Sequence, residues 1–514
     1  MRMNIGEMLT NRTRRDPHLE ALVDTASGER FTYAEINARV NKTASMLLGM
    51  GVEPGDRVAL LLMNGTPFYE TYFACAKIGA VAVPLNWRLV PVELGYILGN
   101  SGAKTLLFDT EFAATVEALN AAGSTEIEDW LQVATDQPLC AFAKNYRALS
   151  SQGSTKEPET RGFDGDNLYI MYTSGTTGLP KGVVHTHSTT FWAMTTMMMP
   201  TCDIRLGDRF SVVLPLFHVG ALAPLLLTVY GGGTAVLMRT FDPASMWKIT
   251  AEEKITITLA VPAMLTFMLM IPDVDPAGYS QLRWIMSGAA PVPVSLMEKY
   301  QAIGIEIHQI YGLTECCGPG CLISPTDAMQ RLGSTGKAFF HTDLRLIDAD
   351  GNDVPPNTPD ELLLSGGHMM KEYWRNPKAT AVTLRDGWLY TDNIAVMDED
   401  GFITIQNRIK DMIISGGENV YPAEIENAVM RHPGIKECAV IGMQSERWGE
   451  SPLIVAERAD DIVDEASVLQ HCDGKLARFK QPKGAVFVEA IPRNASGKAL
   501  KFELRKQFPG LARE

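Results

Sequence analysis

The sequence predicts an α/β protein: a large N-terminal domain of layered α/β subdomains with a β-rich subdomain, then a small α+β C-terminal domain. Three observations carry this. Short apolar runs alternate with amphipathic stretches through the first half of the chain, which is the pattern of buried, partly parallel sheets. Between residues 343 and 414, apolar runs sit between turn signals such as Asp350-Gly351-Asn352 and Asp400-Gly401, as in antiparallel strands. From Ile409 the apolar runs at 438–442, 453–456 and 485–488 alternate with helical stretches at 422–431 and 466–476, a small second domain. The expected domains are therefore 1–408 and 409–514.

In order along the chain, helices are expected at 33–50 and 66–78, and strands at 57–63, 80–85, 104–108 and 210–214. Residues 122–165 mix Gly, Ser, Thr and acidic side chains and read as a connector. Residues 212–229 contain no formal charge. Pro215, His218, Gly220 and Pro224 interrupt them, so a buried strand-and-loop segment is expected there and no membrane span. Strands at 344–347, 361–364 and 402–406 follow.

Composition narrows the function. With 514 residues, 46% hydrophobic and 21% charged, the chain can fill several cores. Its net charge of −14 argues against nucleic-acid binding, which needs basic surface. From Lys475 onward, however, basic residues outnumber acidic ones ten to three, suited to an anionic small ligand or a domain interface. Eight cysteines without a Cys-x-x-Cys pair indicate neither a disulfide framework nor a zinc site. The first fifteen residues lack an apolar core of signal-peptide length, so a cytoplasmic location is expected.

The chemistry concentrates at residues 173–182, Thr-Ser-Gly-Thr-Thr-Gly-Leu-Pro-Lys-Gly. Glycines let backbone N–H groups approach a ligand, hydroxyls donate to anionic oxygens, and Lys181 adds a compact positive charge, a combination suited to polyphosphate. The run follows the β-prone stretch 168–172 and precedes a segment at 188–199 whose Ser/Thr start reads as a helix cap. It is not Gly-x-x-x-x-Gly-Lys-Ser/Thr, because Pro180 stands five after Gly175 and Gly182 follows Lys181. A P-loop kinase or ATPase is thereby excluded.

Further clusters follow: Ser287-Gly288-Ala289-Ala290-Pro291, Ile310-Tyr311-Gly312-Leu313-Thr314-Glu315, Arg408-Ile409-Lys410-Asp411, Ser415-Gly416-Gly417-Glu418-Asn419, and Lys498 after Ser496-Gly497. With the phosphate loop, and in this order over nearly the whole chain, they resemble the acyl-adenylate-forming superfamily of acyl-CoA synthetases, adenylation domains and firefly luciferase. The resemblance implies an ATP-dependent acid:CoA ligase using ATP, Mg²⁺ and CoA. Thr173, Ser174, Gly175, Thr176, Thr177 and Lys181 would hold the phosphates, with Thr173 and Glu315 toward the metal. Gly288, Ala289, Ala290, Pro291 and Gly312 would line the adenine slot, with Tyr311 against the base. Thr314 would bond the α-phosphate, and Lys498 would stabilise negative charge as the carboxylate attacks phosphorus. Arg408 and Lys410 would mark the hinge of a mobile C-terminal domain. Gly416 and Gly417 would form part of the thiol passage, with Arg447, Trp448 and the basic stretch 475–483 as weaker candidates for contact with CoA.

The chain departs from that pattern at the ribose. The family places Thr-Gly-Asp before the hinge, whereas this sequence reads Thr391-Asp392-Asn393, with Asn393 at the usual aspartate and Asn407 in place of a common glycine. An amide is a weaker two-hydroxyl acceptor than a carboxylate, and Asp392 is the nearby carboxylate that could compensate. The resemblance puts His218, Trp192, Met194, Met197, Met198, Met264, Cys316, Cys317, Gly318 and Cys321 around the acyl group. An uncharged, Met-rich lining suits a medium-chain fatty or aryl acid better than an amino acid, with His218 as an aromatic gate. A carrier-protein-loading adenylating enzyme and a non-catalytic nucleotide-binding regulator are the alternatives. No integral membrane segment is expected, and a homodimer is one expectation for assembly.

Overall fold

The structure is a computed structural model that describes residues 2–134, 137–173, 179–198, 202–290, 292–408, 411–415, 418–445, 449–460, 462–473, 475–476, 480–493 and 499–509. Two large mixed sheets organise the N-terminal part. One runs in the order Glu372–Tyr373, Lys181–Thr186, Asn167–Thr173, Val81–Pro84, Arg57–Leu61, Thr105–Asp109, Asp129–Val133 and Lys144–Asn145. The other runs Lys337–Ala338, Cys321–Leu322, Glu306–Tyr311, Trp284–Ser287, Ile257–Leu259, Arg209–Val212, Thr234–Leu237, Glu20–Asp24 and Arg30–Thr32. Each is parallel in its middle and antiparallel toward the end that carries the candidate site.

Strand alternation explains the layering. Val58 and Leu60 join a central core with the helices Tyr33–Gly49, Thr66–Ile78, His187–Met197 and Val219–Gly231, while Ala59 and Leu61 face an outer core. In the second sheet Trp284 and Met286 enter the central core and Ile285 an outer one. Both sheets are thus apolar on both faces, and the helix Thr66–Ile78 between them is buried nearly all round. The expected helices at 33–50 and 66–78 appear as Tyr33–Gly49 and Thr66–Ile78.

Three local expectations change. The stretch 122–165 contains the strand Asp129–Val133, the edge strand Lys144–Asn145 and the helix Tyr146–Ser151. Polar Gln132 disguised the strand. It is fully buried because its amide reaches Thr110 Oγ1 at 3.1 Å and its carbonyl accepts from Cys140 N at 2.8 Å, which removes the cost of burying it. The uncharged stretch holds the helix Val219–Gly231 with Pro224 inside it. Pro224 forfeits one backbone bond, but apolar burial over most of the helix outweighs that loss. The helix expected to open at Ser188 is instead capped by Thr186, whose side chain accepts from Thr189 N.

A third sheet, Asp343–Ile347, Asp360–Ser365, Trp388–Met397 and Leu384–Arg385 with Ile403–Arg408, is antiparallel as expected. From Ile413 onward the chain forms its own sheet, Glu418–Val420, Ile413–Ser415, Gly449–Arg458 and Ile435–Ser445 with Gly484–Phe487, flanked by two cores of its own. Among the described residues no helix is long and apolar enough to cross a membrane.

Candidate functional site

The phosphate-loop sequence is the connection of a β-hairpin. Thr173 ends one strand, Lys181 begins the next, and the two are cross-strand partners, with Thr173 Oγ1 donating to the Lys181 carbonyl at 3.4 Å. The strand Lys181–Thr186 then pairs on its other side with Glu372–Tyr373, matching Tyr373 with Val183. This register brings three polar groups together. Lys181 Nζ lies 4.5 Å above the Tyr373 ring, and the Tyr373 hydroxyl donates to Glu315 Oε1 at 2.8 Å. The phenol is buried, and burial together with the Glu315 carboxylate pushes its pKa upward, so it remains a donor.

The turn holding Thr314 and Glu315 is braced from the strand Lys181–Thr186 and from the segment just before Glu372–Tyr373. The carbonyl of Thr314 lies 2.7 Å from His185 Nε2, and the carbonyl of Glu315 accepts from Met370 N at 2.7 Å. Burial pulls His185 down to about 4, so the ring is neutral near pH 7. A carbonyl only accepts, hence Nε2 carries the proton and Nδ1, 3.1 Å from Thr189 Oγ1, is the acceptor.

The second sheet supplies the slot residues. Parallel pairing of Trp284–Ser287 with Glu306–Tyr311 places Gly288 against Ile310, where a Cβ would meet the Ile310 carbonyl oxygen at 2.4 Å. A Cβ on Gly312 would sit 1.5 Å from the Gly318 carbonyl oxygen, so the backbone must pass there without a side chain. Ala289 is exposed in the left-handed region at φ 67°. Tyr311 is only 9% exposed and packs with Val183, Cys316 and Leu346, so a limited part of its ring is open to a base.

At the expected ribose position Asn393 faces Arg408 across the antiparallel pair. Its amide donates to the Thr391 carbonyl at 2.7 Å and the side chain is buried. Asp392 is exposed at φ 57°, and its N–H donates to Glu361 Oε1 at 3.1 Å. Burial, with Asp392 nearby, raises the pKa of Glu361.

His218 precedes the helix Val219–Gly231 with its ring 4.6 Å from that of Phe217. Burial first, then the Arg88 charge, lowers it to about 4, so it is neutral near pH 7. Of the expected acyl lining, Met194, Met197, Cys316, Cys317 and Cys321 are core residues, and burial pushes the three thiols up to about 11 or 12. Trp192, Met198 and Met264 are half-buried and remain candidates for the lining. Ser174, Gly175, Thr176, Thr177, Pro291, Lys410, Gly416, Gly417, Arg447, Trp448 and Lys498 lie outside the described residues, as does the side chain of Arg408.

Among the described residues no three or more His, Cys, Asp or Glu side chains gather as a metal cage. Glu315 offers oxygen alone, the donor a small hard cation takes, and such a cation completes its shell with phosphates and water. The residues therefore fit Mg²⁺ carried in with a nucleotide. Sequence reasoning missed Tyr373 and His185. Tyr373 stands among Lys371, Glu372 and Arg375 and His185 follows the phosphate loop, but each acquires its role only through contacts that the fold makes.

The sequence pattern of the AMP-binding enzyme family matches residues 9–374, and that of the AMP-binding enzyme C-terminal domain matches residues 424–498. The chain is 40% identical over 507 residues to the long-chain-fatty-acid–CoA ligase FadD13 of Mycobacterium tuberculosis, covering 98% of each. It is 39% identical over 509 residues to a feruloyl-CoA synthase of Amycolatopsis sp, covering 98% of the chain and 99% of that protein. Among solved structures, the anthranilate CoA ligase AuaEII in complex with anthranoyl-AMP superposes with a TM-score of 0.92 at 27% identity, over 99% of this chain and 97% of that one.

Proposed function

The chain belongs to the AMP-binding enzyme family, and from that premise we propose that it is an ATP-dependent acid:CoA ligase acting on a fatty or aryl acid. The carrying observation is the convergence of Lys181 and Glu315 on Tyr373, at the base of the phosphate hairpin. A cation and a carboxylate separated by one ring suit a magnesium triphosphate, which carries both charges.

In the first half-reaction a carboxylate oxygen attacks the α-phosphorus, and the bond from that phosphorus to the β-bridging oxygen breaks, releasing pyrophosphate. Residues 173–182 hold the departing β- and γ-phosphates, with Lys181 offsetting their charge. Thr314 bonds the α-phosphate from a turn that His185 keeps in place. Mg²⁺, when bound, screens the triphosphate charge, and Glu315 and Thr173 are the side chains that would hold it. Lys498 neutralises the charge developing between carboxylate and phosphorus. In the second half-reaction the CoA sulfur, losing its proton, attacks the acyl carbonyl and AMP leaves.

One rigid site serves both steps poorly. We assign the division to 1–408 and 409–514, with Lys410 as hinge and Gly416 and Gly417 on the thiol passage. His218, neutral near pH 7, walls the acyl group as an aromatic surface and holds no charge for acid–base work. The lining favours a medium-chain or aryl acid. We expect a cytoplasmic enzyme, with a homodimer as one possible assembly.

Measuring ATP-dependent AMP release over fatty, aryl and amino acids, with and without CoA, tests this reading. Release with a fatty or aryl acid, completed by CoA thioester formation, is the expected result. No AMP release with any acid overturns it.

A further inference from the structure

Tyr373 joins two groups of opposite charge that the proposed reaction needs apart. Lys181 Nζ sits 4.5 Å over its ring face and Glu315 Oε1 accepts from its hydroxyl at 2.8 Å. The phenol is 4% exposed and packs against Leu346, Leu364, Met370 and Leu389, so its ring is a fixed partition. Its backbone is pinned as well: Tyr373 pairs with Val183, and its N–H donates to Thr380 Oγ1 at 2.9 Å. Lys181 and Glu315 thus each meet Tyr373, and among the described residues they form no ion pair with each other.

We propose that Tyr373 is a positioning residue that keeps the phosphate-binding lysine and the metal-facing carboxylate from neutralising each other in the empty site. Both charges are then available to an incoming magnesium nucleotide. A direct Lys–Glu pair would have to be broken before the lysine met phosphate and the carboxylate met a metal. The ring face offers the ammonium an attraction that triphosphate readily outcompetes, of the kind a cation makes with an aromatic quadrupole. The hydroxyl donates to one carboxylate oxygen and leaves the second for a metal, fixing the carboxylate's orientation through one charge-assisted bond. The two effects use different parts of one side chain, and can be separated. This inference rests on the ATP-binding reading given above.

The test is equilibrium binding of ATP to the full chain by calorimetry, in chelator and again in Mg²⁺, for the wild type, Tyr373→Phe and Tyr373→Leu, with thermal melting to verify folding. Tyr373→Phe keeps the ring and its core packing and removes only the bond to Glu315. Its metal-free Kd is expected within about twofold of wild type, while the tightening produced by Mg²⁺ shrinks by roughly tenfold, the scale of one charge-assisted bond. Tyr373→Leu also removes the ring face, and its metal-free Kd is expected to rise by about fivefold. Tyr373→Phe decides the matter if the leucine variant does not fold. An unchanged Mg²⁺ enhancement in Tyr373→Phe overturns the proposal, as does an equal loss with and without metal. A wild-type chain that binds no ATP under either condition overturns instead the reading on which it rests.

Discussion

His185 Nε2 lies 2.7 Å from the carbonyl oxygen of Thr314, tying the strand that begins with the phosphate-loop lysine to the turn that carries Thr314 and Glu315. The strand belongs to one large sheet, the turn follows the strand Glu306–Tyr311 of the other, and the two residues are 129 apart in sequence. A neutral imidazole suits the task, because it donates from one nitrogen and accepts at the other without bringing a charge into the core. His185→Leu is expected to leave that carbonyl short of a donor, costing about 1–3 kcal/mol of stability. It is also expected to lower the rate of acid-dependent ATP–pyrophosphate exchange by about tenfold, since a small displacement of a positioning turn is costly. His185→Gln, which keeps a donor, should recover much of both; urea unfolding and the exchange assay measure them.

The layered α/β architecture and the phosphate loop were legible in the sequence because strand alternation and glycine-hydroxyl chemistry are local; that the loop closes a hairpin was not. Thr173, Lys181, Thr314 and Glu315 stood out for the same reason. His185 and Tyr373 did not: His185 lies four residues past Lys181 and Tyr373 between Glu372 and Arg375, yet neither neighbourhood says which partner the side chain meets. Their roles arise where the strand Lys181–Thr186 meets Glu372–Tyr373 at one edge and the Thr314 turn at its end. Likewise Gln132 looks like a loop residue until its buried partners are known.

Stability should fall as the medium is acidified below neutrality. His185, His187 and His368 are fully buried, and burial lowers each from 6.5 to about 4. Between those values the unfolded chain binds more protons than the folded one. The stability contributed by these rings is therefore complete above pH 6.5 and is lost progressively as pH falls toward 4. From pH 7 to pH 5 the loss is on the order of 1–2 kcal/mol per ring. Urea midpoints at the two pH values read it, and His185→Gln should reduce the slope.

Asn393→Asp would restore the family's aspartate, and sequence reasoning alone expects a lower ATP KM. The structure reverses that expectation. The Asn393 amide donates to the Thr391 carbonyl at 2.7 Å inside a buried pocket, and a carboxylate there would face a carbonyl with no proton to give. The substitution is expected to destabilise by about 1–3 kcal/mol at pH 7.5 and not to lower KM. The penalty should shrink toward pH 5, because burial raises the carboxyl's pKa and its protonated form can donate. Urea titrations at both pH values, with ATP kinetics at pH 7.5, check this.

Lys498→Ala separates the two half-reactions. The lysine is assigned to the charge that develops during adenylation, whereas attack of a thiol on a preformed acyl-AMP requires no such neutralisation. Acid-dependent pyrophosphate release should fall by at least about a hundredfold, while CoA thioester formation from supplied acyl-AMP stays within a fewfold of wild type. Equal loss of both would contradict the assignment.

Acid selection is best probed at Gly367, where the backbone lies flat against the Trp192 indole. A Cβ built there would fall 2.7 Å from Trp192 Cγ, far inside van der Waals contact. The indole also meets the His341 ring edge-on at 5.4 Å, so moving it disturbs that contact. If Trp192 forms part of the acyl wall, Gly367→Ala must push it toward the acid. The preference should then shift toward smaller acids, with kcat/KM for the longest accepted acid falling by about tenfold or more, the scale of lost apolar fit. The ATP KM, assigned above to Lys181, Thr314 and Glu315, should stay unchanged. A series of acids of increasing chain length assayed on both proteins reads the shift, and a uniform drop across the series would mean that Trp192 supports the helix without lining the pocket.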